Sequence, residues 1–176
     1  MHRFAVASAA CALVGGVLVA GCDRSVDLTD ASMSEVGRAL NDAVRQQPGE
    51  WETSTALEAM DLGKAANPST DAEIRRQVGK PKVERGCLSA EQAATPGFGQ
   101  LRGGRCRFTR FTWQDGQLDA QLQCVRPDAK VSVRQAGAYS STAFDMRTTL
   151  RQDVPGGPAT SMTMRLVGRR LGDCRP

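Results

Sequence analysis

The sequence predicts an α+β fold: a curved antiparallel β-sheet of about five or six strands, with an N-terminal helix, short helical turns and two disulfides. Near the N-terminus apolar residues recur at helical spacing, whereas apolar and polar residues alternate from residue 105 onward. Four cysteines follow residue 22, an even number that suits two disulfides in an oxidising compartment. These observations predict a disulfide-bonded sheet with one packed helix.

The first 22 residues predict a bacterial lipoprotein signal. Arg3 supplies the positive region, and the run from Phe4 to Ala20 carries no charge. Small residues then precede Cys22, as in the lipobox at which a lipoprotein is cleaved and acylated. We therefore expect residues 1–21 to be removed and Cys22 to be lipidated; the alternatives are an ordinary secretory signal with an incidental cysteine and an uncleaved anchor.

The predicted anchor places the protein in the bacterial cell envelope, on the periplasmic side of a membrane. In lipoproteins of the enterobacterial type an aspartate at the second position marks retention at the inner membrane, and Asp23 occupies it. Residues 22–31 are then expected to be a polar tether, followed by a single domain over residues 32–176.

The N-terminal helix is predicted over residues 33–46. Ser32 and Glu35 form a capping-box pattern, and Pro48-Gly49 ends the run. Its polar face has few cations for lipid headgroups, so the apolar stripe is expected to dock on the domain rather than on a membrane.

Alternation over residues 51–58 predicts a half-buried strand. Thr70 to Glu73 repeats the capping-box pattern and predicts a short helix that ends before Pro81, and a helical turn is expected after Ser89. Further strands are predicted over residues 130–135, 140–151 and 161–168, with Phe144, Met146, Thr148 and Leu150 on one side of theirs.

The hairpin around Asp115-Gly116 can have either of two registers. A two-residue loop pairs Cys106 with Val125 and mixes apolar with polar residues on each face. A three-residue loop, Gln114-Asp115-Gly116, keeps one face largely apolar. The sequence therefore predicts the longer loop, with the pairs Cys106–Cys124, Phe108–Leu122, Arg110–Ala120 and Thr112–Leu118.

That register favours the disulfides Cys106–Cys124 and Cys87–Cys174 among the three connectivities that four cysteines allow. A one-residue slip of the ladder turns Cys124 to the other face. It would favour Cys87–Cys106 with Cys124–Cys174 instead.

Charge divides unevenly along the chain. Residues 23–100 hold 9 Lys/Arg against 13 Asp/Glu, a net of −4, and residues 101–176 hold 13 against 6, a net of +7. The basic half could attract anionic headgroups. The cations alternate with other residues instead of clustering, which favours a solvated strand face, and the compartment argues against a nucleic acid partner; these cations include Arg105, Arg107, Arg147, Arg165 and Arg169.

The residues that carry common catalytic chemistry are missing from the sequence after Cys22. His2 is the only histidine, so serine and cysteine mechanisms that use histidine are excluded, and the cysteine spacing gives no metal site. Glu50 and Glu52 flank Trp51 and imitate an acid/base pair, but an exposed strand edge explains them better. We expect no enzyme, no catalytic residue, no metal and no cofactor.

Several short motifs resemble one bacterial exported family, that of domain of unknown function 3617. They are a PGEWE strand opening at Pro48, a CLSAE element at Cys87, the cysteines 106 and 124, and a closing strand that ends in glycine, aspartate and Cys174. The resemblance covers about residues 48–174, with Ser-Ala where the family usually has Thr-Pro after Cys87. The family has no established activity, so the resemblance implies no catalytic residue.

Two functions of different classes remain open. The first is a non-catalytic envelope module that binds a partner, such as an envelope protein, or an unknown ligand on its sheet. The second is a carrier of a small molecule or lipid, with the sheet closed around an apolar cavity. A cavity lined by the even-numbered hairpin residues favours the carrier, and a filled core there favours the module. A hydrolase that works without histidine is the least favoured alternative.

Overall fold

The structure is a computed structural model that describes residues 25–63, 67–94 and 105–174. Within these ranges eight strands form one open antiparallel sheet, and three short helices accompany it. The elements are β1 Val26–Ala31, α1 Met33–Ala43, β2 Gly49–Asp61, α2 Pro68–Gln77, β3 Pro81–Leu88, α3 Ala90–Ala93, β4 Arg105–Gln114, β5 Gln117–Val125, β6 Lys130–Tyr139, β7 Ala143–Asp153 and β8 Thr160–Gly172.

The strand order is β1-β4-β5-β6-β7-β8-β2-β3, so β1 and β3 are the edges of the sheet. The prediction of an antiparallel sheet with an N-terminal helix and two disulfides is confirmed. The prediction of five or six strands is wrong, because the two edge strands were not expected. The signal sequence, Cys22 and Asp23 lie outside the described residues.

The edge strand β1 occupies residues that the sequence assigned to the tether. Val26, Leu28 and Ala31 pair with β4 and face the core, although the segment is short and half polar. Asp30 adopts a positive φ of 48°, which turns Ala31 rather than Asp30 inward. Asp27, Thr29 and Asp30 lie between the apolar residues, and their polarity led to the prediction of a tether.

The other edge strand, β3, follows α2 directly. It begins at Pro81, contains Gly86, and is exposed at seven of its eight positions. Proline is tolerated at the first residue of a strand, and an edge strand needs little apolar alternation. The sequence therefore carried no strand signal here.

Helix α1 begins as predicted and docks on the sheet. The Ser32 side chain accepts from the Glu35 N–H, and Glu35 accepts in return from the Ser32 N–H at 2.7 Å. Val36 and Leu40 are buried against β1 and β4, in one cluster with Phe108. The helix ends at Ala43, three residues before the predicted end.

The two shorter helices are also capped by side chains. Asn67, not Thr70, caps α2: its Oδ1 accepts from the Thr70 N–H at 2.8 Å, with Pro68 in the first helical position. Ser89 caps α3, as the predicted turn after Ser89 requires, and it forms a second capping box with Gln92. Among the described residues, no helix is long and apolar enough to span a membrane.

The β4–β5 hairpin combines features of both predicted registers. Its loop has two residues, Asp115 and Gly116, both with positive φ, so the predicted three-residue loop is wrong. A bulge between Phe108 and Arg110 then restores the pair of Cys106 with Cys124. The predicted Phe108–Leu122 pair is therefore correct, whereas the structure pairs Arg110 with Gln121 and Thr112 with Asp119.

The disulfides are Cys87–Cys174 and Cys106–Cys124, the pairing that the sequence favours. The first joins the edge strand β3 to the end of β8, and the second crosses the β4–β5 ladder. The Cα atoms are 5.6 Å and 4.0 Å apart, respectively. The bulge accounts for this agreement, since without it the two-residue loop would place Val125 opposite Cys106.

Candidate binding face

One face of the sheet, here called the inner face, carries the apolar side chains, and α1 covers only part of it. Under α1 the hairpin residues are almost fully buried: Phe108 is 2% exposed and Leu122 is 4% exposed. The neighbouring inward residues of β5 and β6 are buried as well; they are Leu118, Ala120, Cys124 and Val131. This half of the inner face is a filled core.

The other half of the inner face, formed by β7, β8 and β2, is not covered by α1, whose main contacts among the described elements are with β1 and β4. Directly paired residues share a face, and the pairs run Leu150–Met162, Thr148–Met164–Leu57 and Met146–Leu166–Thr55. Met146 is buried. The other residues of these three rows are only half-buried, although each lies on a strand that is paired on both sides. We call this set the open strip; its apolar members are Leu57, Leu150, Met162, Met164 and Leu166.

The sequence predicted part of this face. It placed Phe144, Met146, Thr148 and Leu150 on one side of their strand, and the pairing with β8 confirms that arrangement. It singled out none of the residues of the open strip as a binding site. Alternation identifies which side chains point inward, but it carries no information on which of them a helix later covers.

An aromatic pair closes one end of the open strip. Phe144 stacks on Trp51 with ring centroids 6.0 Å apart and planes at 20°. The two rings lie on strands separated by β8, and Gly168 leaves the space between them because its neighbour Phe144 would meet any side chain there. The Trp51 indole N–H donates to the Gln47 carbonyl at 3.0 Å, which holds the ring in place.

Beside this pair the inner face forms a groove of about 380 Å³. Its wall includes Leu88 and Glu84 of the edge strand and Gln92 of α3. The lining thus combines the two aromatic rings and Leu88 with a carboxylate, the guanidinium of Arg85 and an amide.

The opposite, outer face carries charged residues in cross-strand ion pairs. Arg147 contacts Glu58 at 2.6 Å, and Arg165 contacts Asp145 at 2.6 Å. Each guanidinium lowers the pKa of its acidic partner by hydrogen bonding to the carboxylate. Four of the five cations that the sequence placed on strand faces are matched by acids, since Arg107 pairs with Asp30 and Arg169 with Glu52 as well. Exposed pairs of this kind add little to stability.

Glu50 and Glu52, which the sequence assigned to an exposed strand edge, lie instead on the internal strand β2 and are half-buried. Two arginines hold the Glu52 side chain. Its carboxylate accepts from Arg169 at 2.8 Å and from Arg85 at 2.7 Å, which lowers its pKa. A carboxylate that is stabilised as an anion is a poor general acid at neutral pH. Within the described ranges there is also no group of three or more metal-ligating side chains from His, Cys, Asp and Glu.

The comparisons with known proteins give one match. A family model described as protein of unknown function, DUF3617, matches residues 46–174. This span includes the open strip, the aromatic pair and all four cysteines that form disulfides. No curated protein and no solved structure matches the chain.

Proposed function

The chain belongs to the DUF3617 family, and from that premise we propose that it is a lipid-anchored lipoprotein of the bacterial envelope that acts as a non-catalytic binding module. The lipobox-like sequence before Cys22 supports the anchor. The module binds apolar side chains of an envelope protein on the open strip. The observation that carries this proposal is that the apolar residues of the open strip are only half-buried although they lie on internal strands of the sheet.

The chemistry of the open strip supports a protein partner. Three methionines, counting the buried Met146, lie beside threonines and leucines. Methionine has an unbranched, flexible side chain that adapts to irregular apolar surfaces. A contiguous apolar patch on a soluble domain commonly marks an interaction surface.

The filled core under α1 favours the module over the carrier. A carrier was expected to enclose a cavity lined by the even-numbered hairpin residues. Instead Phe108, Leu118 and Leu122 are buried in one core cluster with Val36 and Leu40 of α1, and the described strands form an open sheet. The arginine-held Glu52 supports the non-catalytic part of the proposal, because it is unsuited to donate a proton.

Photo-crosslinking tests the binding face in cells of the native host. A photoreactive amino acid at Met164, in the open strip, should give a protein adduct that Leu166→Glu abolishes. The matched control is Val167 on the outer face of the same strand, which should give none. Adducts from both positions, or from neither, contradict the proposed site.

Native mass spectrometry of detergent-extracted protein separates the module from the carrier. The module is expected to carry no co-purifying molecule beyond its own covalent lipid. A stoichiometric small molecule or lipid that remains bound, and that Met164→Glu removes, would support the carrier instead.

Metabolic labelling with palmitate tests the anchor and its location. Wild-type protein should be labelled and Cys22→Ala should not, because the lipid requires the thiol. Asp23→Ser should move the protein from inner-membrane to outer-membrane fractions if the host sorts lipoproteins by this position. An unlabelled wild type, or recovery of wild type with outer-membrane markers, would contradict the anchor or the sorting respectively.

A further inference from the structure

We propose that one end of the sheet, the end at which β1 begins, lies against the membrane surface. We call it the Val26 end; the opposite end, where β1 finishes at Ala31, is the Ala31 end. The proposal rests on the lipid anchor at Cys22 proposed above. It assigns to the membrane a surface of this domain, in addition to the lipid itself.

The distance from the anchor to the sheet is short because β1 is a strand and not a tether. Four residue steps join Cys22 to Val26, which span at most about 14 Å when fully extended. Had the chain been free up to residue 31, nine steps would have allowed about 32 Å. The sheet itself is longer than the connection, since β5 runs about 27 Å from Gln117 to Val125.

The Val26 end gathers two tight turns and the aromatic end of the groove. Val26 pairs with Trp113 just before the β4–β5 turn, and Tyr139 donates its N–H to the Gly116 carbonyl of that turn. The β6–β7 turn follows directly, and its Ser141 carbonyl accepts from the Gln47 N–H. These elements form one surface around the start of β1.

The residue types at this end suit a membrane interface. All three Trp and Tyr residues of the chain, Trp51, Trp113 and Tyr139, lie within two residues of a strand terminus here, although Trp51 is buried and offers the membrane no surface. Trp113 and Tyr139 are half-buried, and the Trp113 indole N–H donates to the Tyr139 carbonyl at 3.1 Å. Amphipathic rings of this kind are enriched at the level of lipid headgroups.

Charge differs in the same sense between the three turns that join β4 to β7, although the Val26 end also carries the Arg170–Asp173 ion pair at the end of β8. At the Val26 end, the turns over residues 114–117 and 139–143 contain one charged residue, Asp115. At the Ala31 end, the β5–β6 turn alone holds Arg126, Asp128 and Lys130. The neutral turns cost little to bring against headgroups, whereas the charged turn keeps its hydration if it points away.

The orientation has a consequence for the binding face. Trp51 and Phe144, which close the groove, lie at the Val26 end of their strands. A partner on the open strip would therefore meet the aromatic end of the groove next to the membrane. The strands would then run away from the bilayer surface, and both the outer and the inner face of the sheet would be roughly perpendicular to it.

Energy transfer to the membrane surface tests the orientation. Full-length lipidated protein is labelled with a donor dye at Gln117→Cys or Val125→Cys and placed in phosphatidylcholine vesicles that contain a headgroup-labelled acceptor lipid. Both positions belong to β5, share its outer face and are exposed, so they form a matched pair. The four cysteines after Cys22 are in disulfides, and the Cys22 thiol is acylated in the lipidated protein, so none of them reacts with the dye.

Transfer should be markedly stronger from position 117 than from position 125, as the separation of about 27 Å along the strand requires. Ten Gly/Ser residues inserted after Asp23 should reduce this difference, since they remove the short connection. Equal transfer, or stronger transfer from position 125, overturns the orientation. Intact mass of the same sample separates the failures: missing lipid overturns the anchor together with the orientation, while lipidated protein with equal transfer overturns the orientation alone.

Discussion

Replacing Gly168 with alanine should destabilise the protein, because the space above this residue is filled by an aromatic ring. A Cβ atom on Gly168 would lie 2.2 Å from both Cε1 and Cζ of Phe144, well inside van der Waals contact. The backbone of Gly168 has no positive φ, so the obstacle is steric. Phe144 must therefore turn away from Trp51, on which it stacks.

The size of the stability loss follows from two destabilising effects and one stabilising effect. Overfilling a packed site costs about 1–3 kcal/mol, and loss of an aromatic pair costs about 0.5–1.5 kcal/mol. Alanine also restricts the unfolded chain, which returns about 0.4–1 kcal/mol. We expect a net loss of about 2 kcal/mol in the free energy of unfolding, and with a slope of about 2 kcal/mol/M the urea midpoint falls by about 1 M.

The assay is urea unfolding followed by tryptophan fluorescence, with the disulfides intact. The matched control is Gly86→Ala, which introduces the same atom on β3 where no atom lies within 4 Å, and it should leave stability unchanged or raise it by up to about 1 kcal/mol. In a Phe144→Ala background, Gly168→Ala should cost almost nothing, because the ring is gone. Equal midpoints for the two glycine variants, or an undiminished cost without Phe144, would refute the reasoning.

Three further predictions concern the pairing of the disulfides, the cost of removing each one, and the loss of stability in acid. Non-reducing peptide mapping should link Cys106 to Cys124 and Cys87 to Cys174; a peptide joining Cys87 to Cys106 would contradict this pairing. Because the Cys87–Cys174 bond closes a separation of 87 residues against 18, removing that pair should cost about 4–5 kcal/mol against about 3 kcal/mol for the other. Glu52 has a lowered pKa in the folded state, so its contribution is present above about pH 4.3 and is lost as the pH falls through the folded value. Between pH 5 and pH 3 the urea midpoint of Glu52→Gln should therefore fall less than that of the wild type, and an equal fall would show that the arginine contacts do not form.

Local signals in the sequence determined the elements that depend on near neighbours. The capping box at Ser32 and Glu35 and the apolar spacing behind it define the start of α1. Alternation identified six of the eight strands, since residues that face a core alternate regardless of what lies beside them. The family motifs between residues 48 and 174 agree closely with the matched span of 46–174.

Local sequence signals and tertiary packing together decided the register of the β4–β5 hairpin. Asp115-Gly116 is a strong turn signal, and the cysteine pair requires that Cys106 face Cys124. From the sequence we met the turn signal and the cysteine pairing with a three-residue loop. The structure meets both requirements with a two-residue loop and a bulge before Arg110. A bulge depends on packing across the sheet, so no local pattern announces it.

Only the tertiary structure decided which segments complete the sheet and which part of it stays open. β1 and β3 are strands because each finds a partner far along the chain, in β4 and β2, while their own residues are largely polar or exposed. Likewise, Met164 and Leu122 both face inward on their strands, yet Leu122 is buried in the core cluster that includes α1, whereas Met164 is only half-buried. Pairing at an edge and cover by a helix are contacts between distant residues, and the alternation of apolar and polar residues along a single strand contains no record of them.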